Sequence, residues 1–410
     1  VDKLVKYVYN CQLERLGEYI MIGERLTQLR LARNLTLDEL AAQIGGIVTK
    51  QALSKYEQNQ AQPSPLVLTK LSAALGVKAN YFLSSSQITV KFVAYRKATS
   101  LLQREKARVE SVVSQCLEDR VRIQTLIGQT KTDIIPWNQL RISSLEDTEK
   151  QANYMRMLWE LGTSPISNVV GAFEEHQLCV LSIKADEKFD GISALGCDSG
   201  GNILAGAIVS RQDVPGERQR LNLTHELGHL VMKIPDNVDE EKAAFRFGSA
   251  FLAPADRLIK QIGSKRSYID IAELLIFKKQ FGISLQALLR RMLDLGIIND
   301  SYYRRWCVYI SKTGWKKQEP DELVRETPQW FNRNLSRLVG EGAISRDEAE
   351  QMLGTSIKVE QPTNIVQRRA FLKLPMEKRR QMLAEQAKLL SDYYEKEVEC
   401  LTSGDAINDY

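Results

Sequence analysis

Two of the chain's three histidines stand four positions apart, in the segment Thr224-His225-Glu226-Leu227-Gly228-His229. Residues four apart on an α-helix lie one above the other on the same face, so a helix here would aim both imidazoles at one point. Leu227, Leu230 and Val231 provide an apolar side that such a helix can bury. The segment therefore predicts a buried helix that can offer two nitrogen ligands to one tetrahedral Zn²⁺.

Glu226 directly follows the first of these histidines. There its carboxylate can reach a water at the metal without occupying a coordination position, and it can take up and return a proton. We therefore predict a zinc-dependent peptidase in which His225 and His229 are metal ligands and Glu226 is the general base. The alternative is a buried helix with two hydrogen-bonded histidines, since short motifs recur by chance.

A catalytic zinc site has three protein ligands and one open position, so a third ligand is required. Pro235-Asp236-Asn237 ends the motif's helix, and a new helix is predicted to begin at Glu240 and Glu241. Both carboxylates are candidates, although an acidic residue also favours a helix N-terminus for its own sake. The remaining histidine, His176, comes just before a predicted strand, and we expect it at the surface.

The overall composition indicates a multidomain globular protein. A chain of 410 residues exceeds one ordinary core, and its 43% hydrophobic and 26% charged residues are typical of soluble domains. The net charge of +5 is compatible with nucleic acid but does not indicate it alone. With no membrane-spanning apolar run and no signal core, we expect a cytoplasmic protein without a membrane partner. Six scattered cysteines without a CxxC pair indicate reduced, mostly structural thiols.

The first half of the chain is predicted to be largely helical. Met21 resembles a natural start, so we expect residues 1–20 to be an upstream extension without a function of its own. Residues 21–84 read as short helices, one of which begins with the capping box Thr36 and Glu39. The serines at 84–86 are predicted to mark a boundary.

Alternating apolar residues between 178 and 210 predict strands around a turn at 198–202. Helix is expected again from residue 219 to the end. The predicted fold class is therefore mainly α with a small antiparallel sheet (α+β). Its predicted parts are an all-α helix-turn-helix domain at 21–84, a zincin-like minimal metallopeptidase domain at 90–260, a helical extension at 261–355 and a C-terminal amphipathic helix at 366–400.

Residues 37–44 and 50–58 have the order of a helix-turn-helix, whose second helix enters the major groove. Gln pairs with adenine, Lys with guanine or phosphate, and hydroxyl groups with phosphate oxygens. The candidate DNA contacts are Thr49, Lys50, Gln51, Ser54 and Lys55. By composition alone, a plain helical bundle with a solvated polar helix is equally consistent.

The motif helix and the segments that follow it resemble the ImmA/IrrE family of metallopeptidases. The resemblance is carried by residues 220–229, 241–247 and 251–254, and it continues through 159–171, 190–193, 278–284 and 291–298, so it covers roughly residues 90 to 355. Matching Phe247 and Pro254 to the family pattern implies that the third ligand is Glu241, not Glu240. Phe245 departs from the Asn that the family often has, which affects local packing but not the ligands.

The N-terminal helices are similar to the XRE-type helix-turn-helix of bacterial and phage repressors. The similarity rests on Ser54-Lys55-Tyr56-Glu57, on Pro63 and on the helix at 66–75. There are two departures from the pattern. Gly45-Gly46-Ile47-Val48 lengthens the turn between the helices, and Asn59 stands where the family commonly has Gly, which affects where the recognition helix lies.

Together the resemblances imply a DNA-binding transcriptional regulator with zinc-dependent endopeptidase activity. It would bind double-stranded operator DNA, with a homodimer as a further expectation, and cleave a regulatory protein in a stress or mobile-element response. The cleaved protein would be a repressor, an antitoxin-type partner or the chain itself. Arg218 and Arg220 are near enough to the motif to be considered for oxyanion binding.

Two other interpretations remain open. In one, the chain is an antitoxin or repressor whose peptidase fold is mainly a scaffold, and residues 366–400, which resemble antitoxin tails, hold a toxin. In the other, it is a housekeeping peptidase with an incidental helical bundle. The intact set His225, Glu226, His229 and Glu241 argues against a pure scaffold, and the helix-turn-helix argues against housekeeping.

Overall fold

The fold is described from a computed structural model, which covers residues 22–83, 88–93, 102–129, 135–354 and 371–384. The chain divides into two compact units, Val1–Thr355 and Ser356–Tyr410. In the second unit, residues 371–373 and 376–384 are helical and residues 374–375 are not, so the amphipathic helix predicted at 366–400 is interrupted before Met376. Residues 366–370 and 385–400 of that prediction, the extension at 1–20 and the serine boundary at 84–86 lie outside the described residues.

In the first unit, the described residues form fifteen α-helices and six strands. The helices are α1 (Ile22–Ala32), α2 (Leu37–Gln43), α3 (Lys50–Glu57), α4 (Pro65–Ala74), α5 (Gln103–Leu126), α6 (Asp147–Leu158), α7 (Val169–Glu175), α8 (Gly216–Val231), α9 (Glu240–Leu252), α10 (Ala255–Ile262), α11 (Ile271–Phe281), α12 (Leu285–Asp294), α13 (Asp300–Lys312), α14 (Trp330–Gly340) and α15 (Arg346–Leu353). The strands are β1 (Thr89–Val93), β2 (Leu140–Arg141), β3 (Leu178–Ile183), β4 (Gly191–Cys197), β5 (Ile203–Arg211) and β6 (Met232–Lys233). Among the helices that the structure describes, none has both the length and the apolar character needed to cross a membrane.

The helices α1 to α4 and a 3-10 helix at Ala79–Leu83 share a core of their own. The predicted capping box begins α2: Thr36 Oγ1 accepts from the Glu39 backbone N–H at 3.1 Å, and Glu39 Oε2 accepts from the Thr36 N–H at 2.7 Å. Thr49 and Ser64 cap α3 and α4 through their side chains alone, which accept from the backbone N–H groups of Ala52 and Val67. The core of this domain is apolar and includes Leu26, Leu29, Leu40, Leu53 and Leu71, all fully buried.

Both departures from the helix-turn-helix pattern have a structural reason. In the longer turn between α2 and α3, Gly45 and Gly46 adopt left-handed φ angles of 79° and 67°. Asn59 has a φ of 55°, a region that glycine enters freely and asparagine tolerates better than most residues. Its Oδ1 also accepts the Gly23 N–H at 2.9 Å, which ties the end of α3 to the start of α1. Asn59 therefore adopts a backbone conformation that glycine commonly supplies, and its side chain links α3 to α1.

A four-stranded sheet with the order β1-β4-β5-β3 forms the centre of the second domain. β4 pairs antiparallel with β1 and β5, whereas β5 pairs parallel with β3. The prediction of an α+β fold with a small sheet is confirmed, but the prediction that the sheet is antiparallel is wrong for β3 and β5. The reason is that β4 and β5 form a hairpin and β5, not β4, lies beside β3, so two strands of the same direction become neighbours.

The helix α5 connects the two domains. One side packs on the sheet through Val109, Val113 and Leu117. Another side faces the N-terminal domain, where Glu118 forms an ion pair with Arg25 and accepts from the Tyr81 hydroxyl at 3.3 Å. We call Arg25, Tyr81 and Glu118 the interdomain cluster. A second contact lies close by, where Glu348 of α15 pairs with Lys78 of the N-terminal domain at 3.0 Å and with Arg122 of α5.

A segment at 319–329, which we call the strap, crosses the N-terminal half of α8. The backbone N–H of Leu323 donates to Glu217 Oε2 at 2.9 Å, and Arg220 pairs with Glu326 at 2.7 Å. Lys278 of α11 completes this contact: its fully buried Nζ lies 2.8 Å from Glu217 and 3.0 Å from Glu319. A buried lysine between two carboxylates therefore fixes the strap to α8.

Candidate metal centre and DNA-binding surface

The motif segment lies in the second half of α8, which packs against β4, β5 and α9. Two glycines allow α8 and α9 to approach closely. A Cβ at Gly228 would lie 3.1 Å from the Phe247 ring, and one at Gly248 would lie 2.9 Å from the His225 backbone nitrogen. This close packing brings the first turn of α9 alongside the two motif histidines.

The imidazoles of His225 and His229 and the carboxylate of Glu241 meet at one point. The two Nε2 atoms are 3.1 Å apart. The Glu241 carboxylate oxygens lie 3.7 Å from His225 Nε2 and 3.6 Å from His229 Nε2. One ligand atom from each of the three residues lies within 4.8 Å of the other two. Both histidines are buried and Glu241 is half-buried, so the cluster is accessible from the side of α9.

These distances can be compared with the geometry of zinc. A tetrahedral Zn²⁺ with bonds of about 2.0–2.1 Å separates neighbouring ligand atoms by about 3.3–3.4 Å. The two Nε2 atoms are 3.1 Å apart, and the distances of 3.6 and 3.7 Å join His229 and His225 to different oxygens of Glu241, Oε1 and Oε2. Two imidazole nitrogens and one carboxylate oxygen are also a donor set that catalytic zinc sites use. The three residues therefore fit a catalytic zinc ion.

Both acidic residues at the start of α9 face the histidines, but they reach different atoms. Glu241 faces both Nε2 atoms, whereas Glu240 Oε1 lies 3.3 Å from His229 Nδ1. Burial lowers the pKa of His229, but the hydrogen bond with Glu241 and the charges of Glu226, Glu241 and Glu240 outweigh it, so the net shift is upward. The site is thus strongly acidic around His229, as a site for a divalent cation requires.

Glu226 is buried beside these ligands and close to the first residue of β4. A Cβ at Gly191 would lie 3.3 Å from Glu226 Oε1, so the glycine leaves the space that this carboxylate occupies. Its charge contributes to the raised pKa of His229. Glu226 therefore lies within electrostatic range of the cluster without being one of its three converging ligands.

Phe245 forms one boundary of the centre. Its ring centroid lies 4.1 Å from that of His225, and 40% of the residue is exposed. Phe245 also lines a cavity of about 730 Å³. That cavity is lined as well by Arg218, Asn222, Lys242, Arg246 and Trp315. The departure from Asn at this position thus provides an aromatic ring that both contacts His225 and lines the cavity.

Two sequence-based expectations about nearby residues need correction. His176 is half-buried, not at the surface: its ring stacks on Trp159 at 4.5 Å and its Nδ1 lies 2.7 Å from the Ala172 carbonyl oxygen. Arg220 faces away from the metal ligands, because its guanidinium bonds Glu326 and the carbonyl oxygens of residues 166 and 167. Arg218, which pairs with Asp190 at 2.6 Å, lines the cavity instead.

Of the five candidate DNA contacts, Thr49, Lys50 and Gln51 lie at the N-terminal end of α3, and Ser54 and Lys55 lie in its second half. Thr49 is the N-cap, and Lys50, Gln51 and Lys55 are exposed. Ser54 is half-buried, and its Oγ accepts from Gln58 at 3.4 Å. Glu57, from the XRE-like motif, has a structural role, because both of its oxygens bond Arg30 of α1 at 2.6 and 2.9 Å.

Comparisons with known proteins match both domains. A helix-turn-helix family model matches residues 26–82, and the model of the IrrE N-terminal-like domain matches residues 202–293. An uncharacterised HTH-type transcriptional regulator, YonR, derived from the SPbeta prophage of Bacillus subtilis (strain 168), is 36% identical over 66 residues. That stretch is 16% of this chain and 59% of the prophage protein, less than two thirds of its length. No solved structure matches the chain.

The two matches fall on two parts of the chain that have separate hydrophobic cores. The first contains the recognition helix α3, and the second contains His225, Glu226, His229 and Glu241. The chain thus combines an XRE-type helix-turn-helix domain with an IrrE-like metallopeptidase-family domain.

Proposed function

We propose that the protein is an operator-binding transcriptional regulator and a zinc-dependent endopeptidase that cleaves a regulatory protein. The observation that carries the proposal is the convergence of His225, His229 and Glu241 at zinc-ligand distances, with buried Glu226 beside them. A structural helix pair would not require two buried histidines and three carboxylates at one place, since burying charge is costly without a compensating partner. A divalent cation supplies that partner.

The residues have separate roles in this proposal. His225, His229 and Glu241 would hold the ion, which when bound polarises the scissile carbonyl and activates a water. Glu226 accepts the proton of the attacking water and delivers it to the departing amine nitrogen. Glu240, whose Oε1 lies 3.3 Å from His229 Nδ1, adds negative charge beside that ring.

The substrate peptide is proposed to lie in the 730 Å³ cavity beside Phe245. The cavity is lined by apolar surface from Leu221, Phe245 and Trp315 and by charged side chains of both signs, among them Arg218 and Asp190. Such a lining suits a peptide segment that carries both apolar and charged side chains. For the domains, we propose boundaries at 21–84 and 90–260, with 261–355 as an extension of the peptidase domain.

Zinc content provides the direct test of the metal centre. The purified protein should contain about one zinc per chain, and the His229→Ala variant should lose most of it. Mutating a residue that only supports a metal ligand already lowers metal affinity by about 10–100-fold, and removing a ligand itself should cost at least as much. Metal analysis after dialysis against a weak chelator measures this. The matched control is His176→Gln, which changes the histidine stacked on Trp159. Equal zinc in both variants would contradict the proposed site.

The second test concerns DNA. Full-length protein should bind a short operator in its own upstream region, and binding should weaken with salt as counterions are released. The double substitution Lys50→Ala and Gln51→Ala should reduce discrimination between operator and random duplex by about 10-fold or more, since a good base contact contributes about 1–3 kcal/mol. Gel-shift titrations with both duplexes measure it.

Lys70→Ala is the matched control for the DNA test. Lys70 is an exposed lysine of the same domain, but it lies on α4 and not on the recognition helix. It should retain the preference of the unmodified protein. If the unmodified protein itself shows no preference for the operator over random duplex, the regulator half of the proposal is wrong.

A further inference from the structure

Two cysteines that neither the metal centre nor α3 uses lie side by side under the sheet. Cys116 of α5 and Cys179 of β3 place their Sγ atoms 3.9 Å apart. A disulfide bond requires about 2.05 Å, a gap that rotation of the two side chains can close. Cys179 is 1% exposed, and Cys116 is half-buried on α5.

A buried cation lies beside the two sulfurs. Arg120, one helical turn beyond Cys116, is fully buried, and its guanidinium lies 3.4 Å from the ring centroid of Trp330. Within the described residues, none of its three nitrogens has a hydrogen-bond partner. The hydrogen bond from Cys116 lowers the pKa of Cys179 against the effect of burial, and the charge of Arg120 lowers it further. The same hydrogen bond and burial raise the pKa of Cys116, so Cys179 is the more readily ionised of the two thiols, and the thiolate is the reactive form of cysteine.

We propose that Cys116 and Cys179 are a redox-sensitive pair that forms a reversible disulfide on exposure to hydrogen peroxide. This inference does not depend on zinc or on peptidase activity. It also removes this pair from the cysteines that the sequence indicated to be mostly structural thiols. In a reducing compartment, a disulfide of this kind is transient and senses oxidant rather than holding the fold together.

The chemistry balances with one peroxide. The Cys179 thiolate attacks a peroxide oxygen; an S–O bond forms, the O–O bond breaks, and the departing hydroxide takes the Cys116 thiol proton to become water. The Cys116 thiolate then attacks the sulfur of the Cys179 sulfenic acid. The S–S bond forms, the S–O bond breaks, and the hydroxide that leaves takes a proton from solvent. Two thiols lose two electrons, and hydrogen peroxide is reduced to two waters.

The disulfide would form close to the contact between α5 and the N-terminal domain. Cys116 lies two residues before Glu118 on α5, and Glu118 holds Arg25 and Tyr81 in the interdomain cluster. A bond from Cys116 to Cys179 would fasten this helix to a strand 63 residues further along the chain. Oxidation therefore acts on the element that attaches the DNA-binding domain to the sheet.

The experiment uses full-length protein, reduced and then treated with hydrogen peroxide. Remaining thiols are blocked with N-ethylmaleimide, and the digest is analysed by mass spectrometry. The expected result is a cross-linked peptide pair containing Cys116 and Cys179 that replaces most of their alkylated forms and disappears on reduction. The thermal midpoint of the oxidised protein should also rise, because a cross-link over a long loop restricts the unfolded chain.

Two variants sharpen the test. Cys116→Ser should form no cross-link and should instead accumulate a sulfenic acid on Cys179 that dimedone labels. Cys197→Ser, which changes a buried cysteine on β4, should form the cross-link as the unmodified protein does. The proposal is overturned if Cys116 and Cys179 both remain alkylatable after peroxide treatment of the folded unmodified protein, or if the cross-link joins other cysteines such as Cys307.

Discussion

Replacing Glu226 with Gln is expected to reduce cleavage of the regulatory target by about 100-fold or more, the effect typical of losing a positioned general base. Glutamine keeps the size and helix propensity of the side chain but cannot accept the proton of the attacking water. Zinc content should be retained, because Glu226 is not one of the three proposed ligands. Operator binding should be retained as well, because Glu226 does not lie on α3. The variant therefore separates catalysis from folding and from metal binding.

The loss of cleavage is measured in cells through its effect on the repression of adjacent genes. Repression of the adjacent genes is compared with and without DNA damage or another stress, in strains that carry the unmodified protein or Glu226→Gln. Glu175→Gln is the matched control, because Glu175 is exposed on α7 and outside the site. Normal derepression in the Glu226→Gln strain would show that peptidase chemistry does not drive the switch. The scaffold interpretation, in which the chain is an antitoxin or repressor, would then be the better account.

The largest effect on stability is expected from Lys278→Ala. This substitution leaves the carboxylates of Glu217 and Glu319, which are 3% and 10% exposed, without their shared cation. Removing one member of a buried ion pair costs about 3–5 kcal/mol, because the remaining charge stays buried. Urea unfolding followed by circular dichroism should therefore show an earlier transition for the metallopeptidase-family domain, to which α11 and the strap belong.

The neighbouring lysine is the matched control. Lys279 pairs with Asp321 at 3.0 Å, but the two side chains are 57% and 46% exposed. An exposed pair contributes at most about 1 kcal/mol, so Lys279→Ala should unfold almost as the unmodified protein does. Combining Lys278→Ala with Glu217→Gln and Glu319→Gln should recover part of the loss. Equal effects of Lys278→Ala and Lys279→Ala would contradict the role of the buried lysine.

Local signals in the sequence predicted the N-terminal domain well. Thr36 and Thr49 cap helices α2 and α3 by accepting a hydrogen bond from a backbone N–H three residues further on. The sequence pattern that predicts each helix start is therefore as local as the bond that forms it. The i, i+4 spacing of His225 and His229 likewise determines their common face. By contrast, spacing alone did not choose between Glu240 and Glu241. Their directions depend on how closely α9 packs on α8.

Long-range features were the ones that the sequence did not reveal. The strand β1 was missed, because its five residues pair with β4 more than a hundred positions away. The parallel pairing of β3 with β5 depends on the order of strands, which periodicity does not encode. Lys278 stands next to Lys279 in a pattern that suggests two solvated lysines, yet only one is exposed. Its burial follows from the return of the strap over α8.

The attachment of α1 to α5 affects how the two proposed activities combine. Arg25 and Tyr81 of the N-terminal domain both bond Glu118 of α5. These bonds fix the position of the cavity proposed for the substrate relative to α3. For a molecule bound to its operator, a target protein on adjacent DNA would meet that cleft at a high effective concentration, so cleavage would behave as an intramolecular reaction. The spacing of the two binding sites along the duplex would then decide which bound proteins are cleaved. A weak intrinsic affinity for the target would suffice.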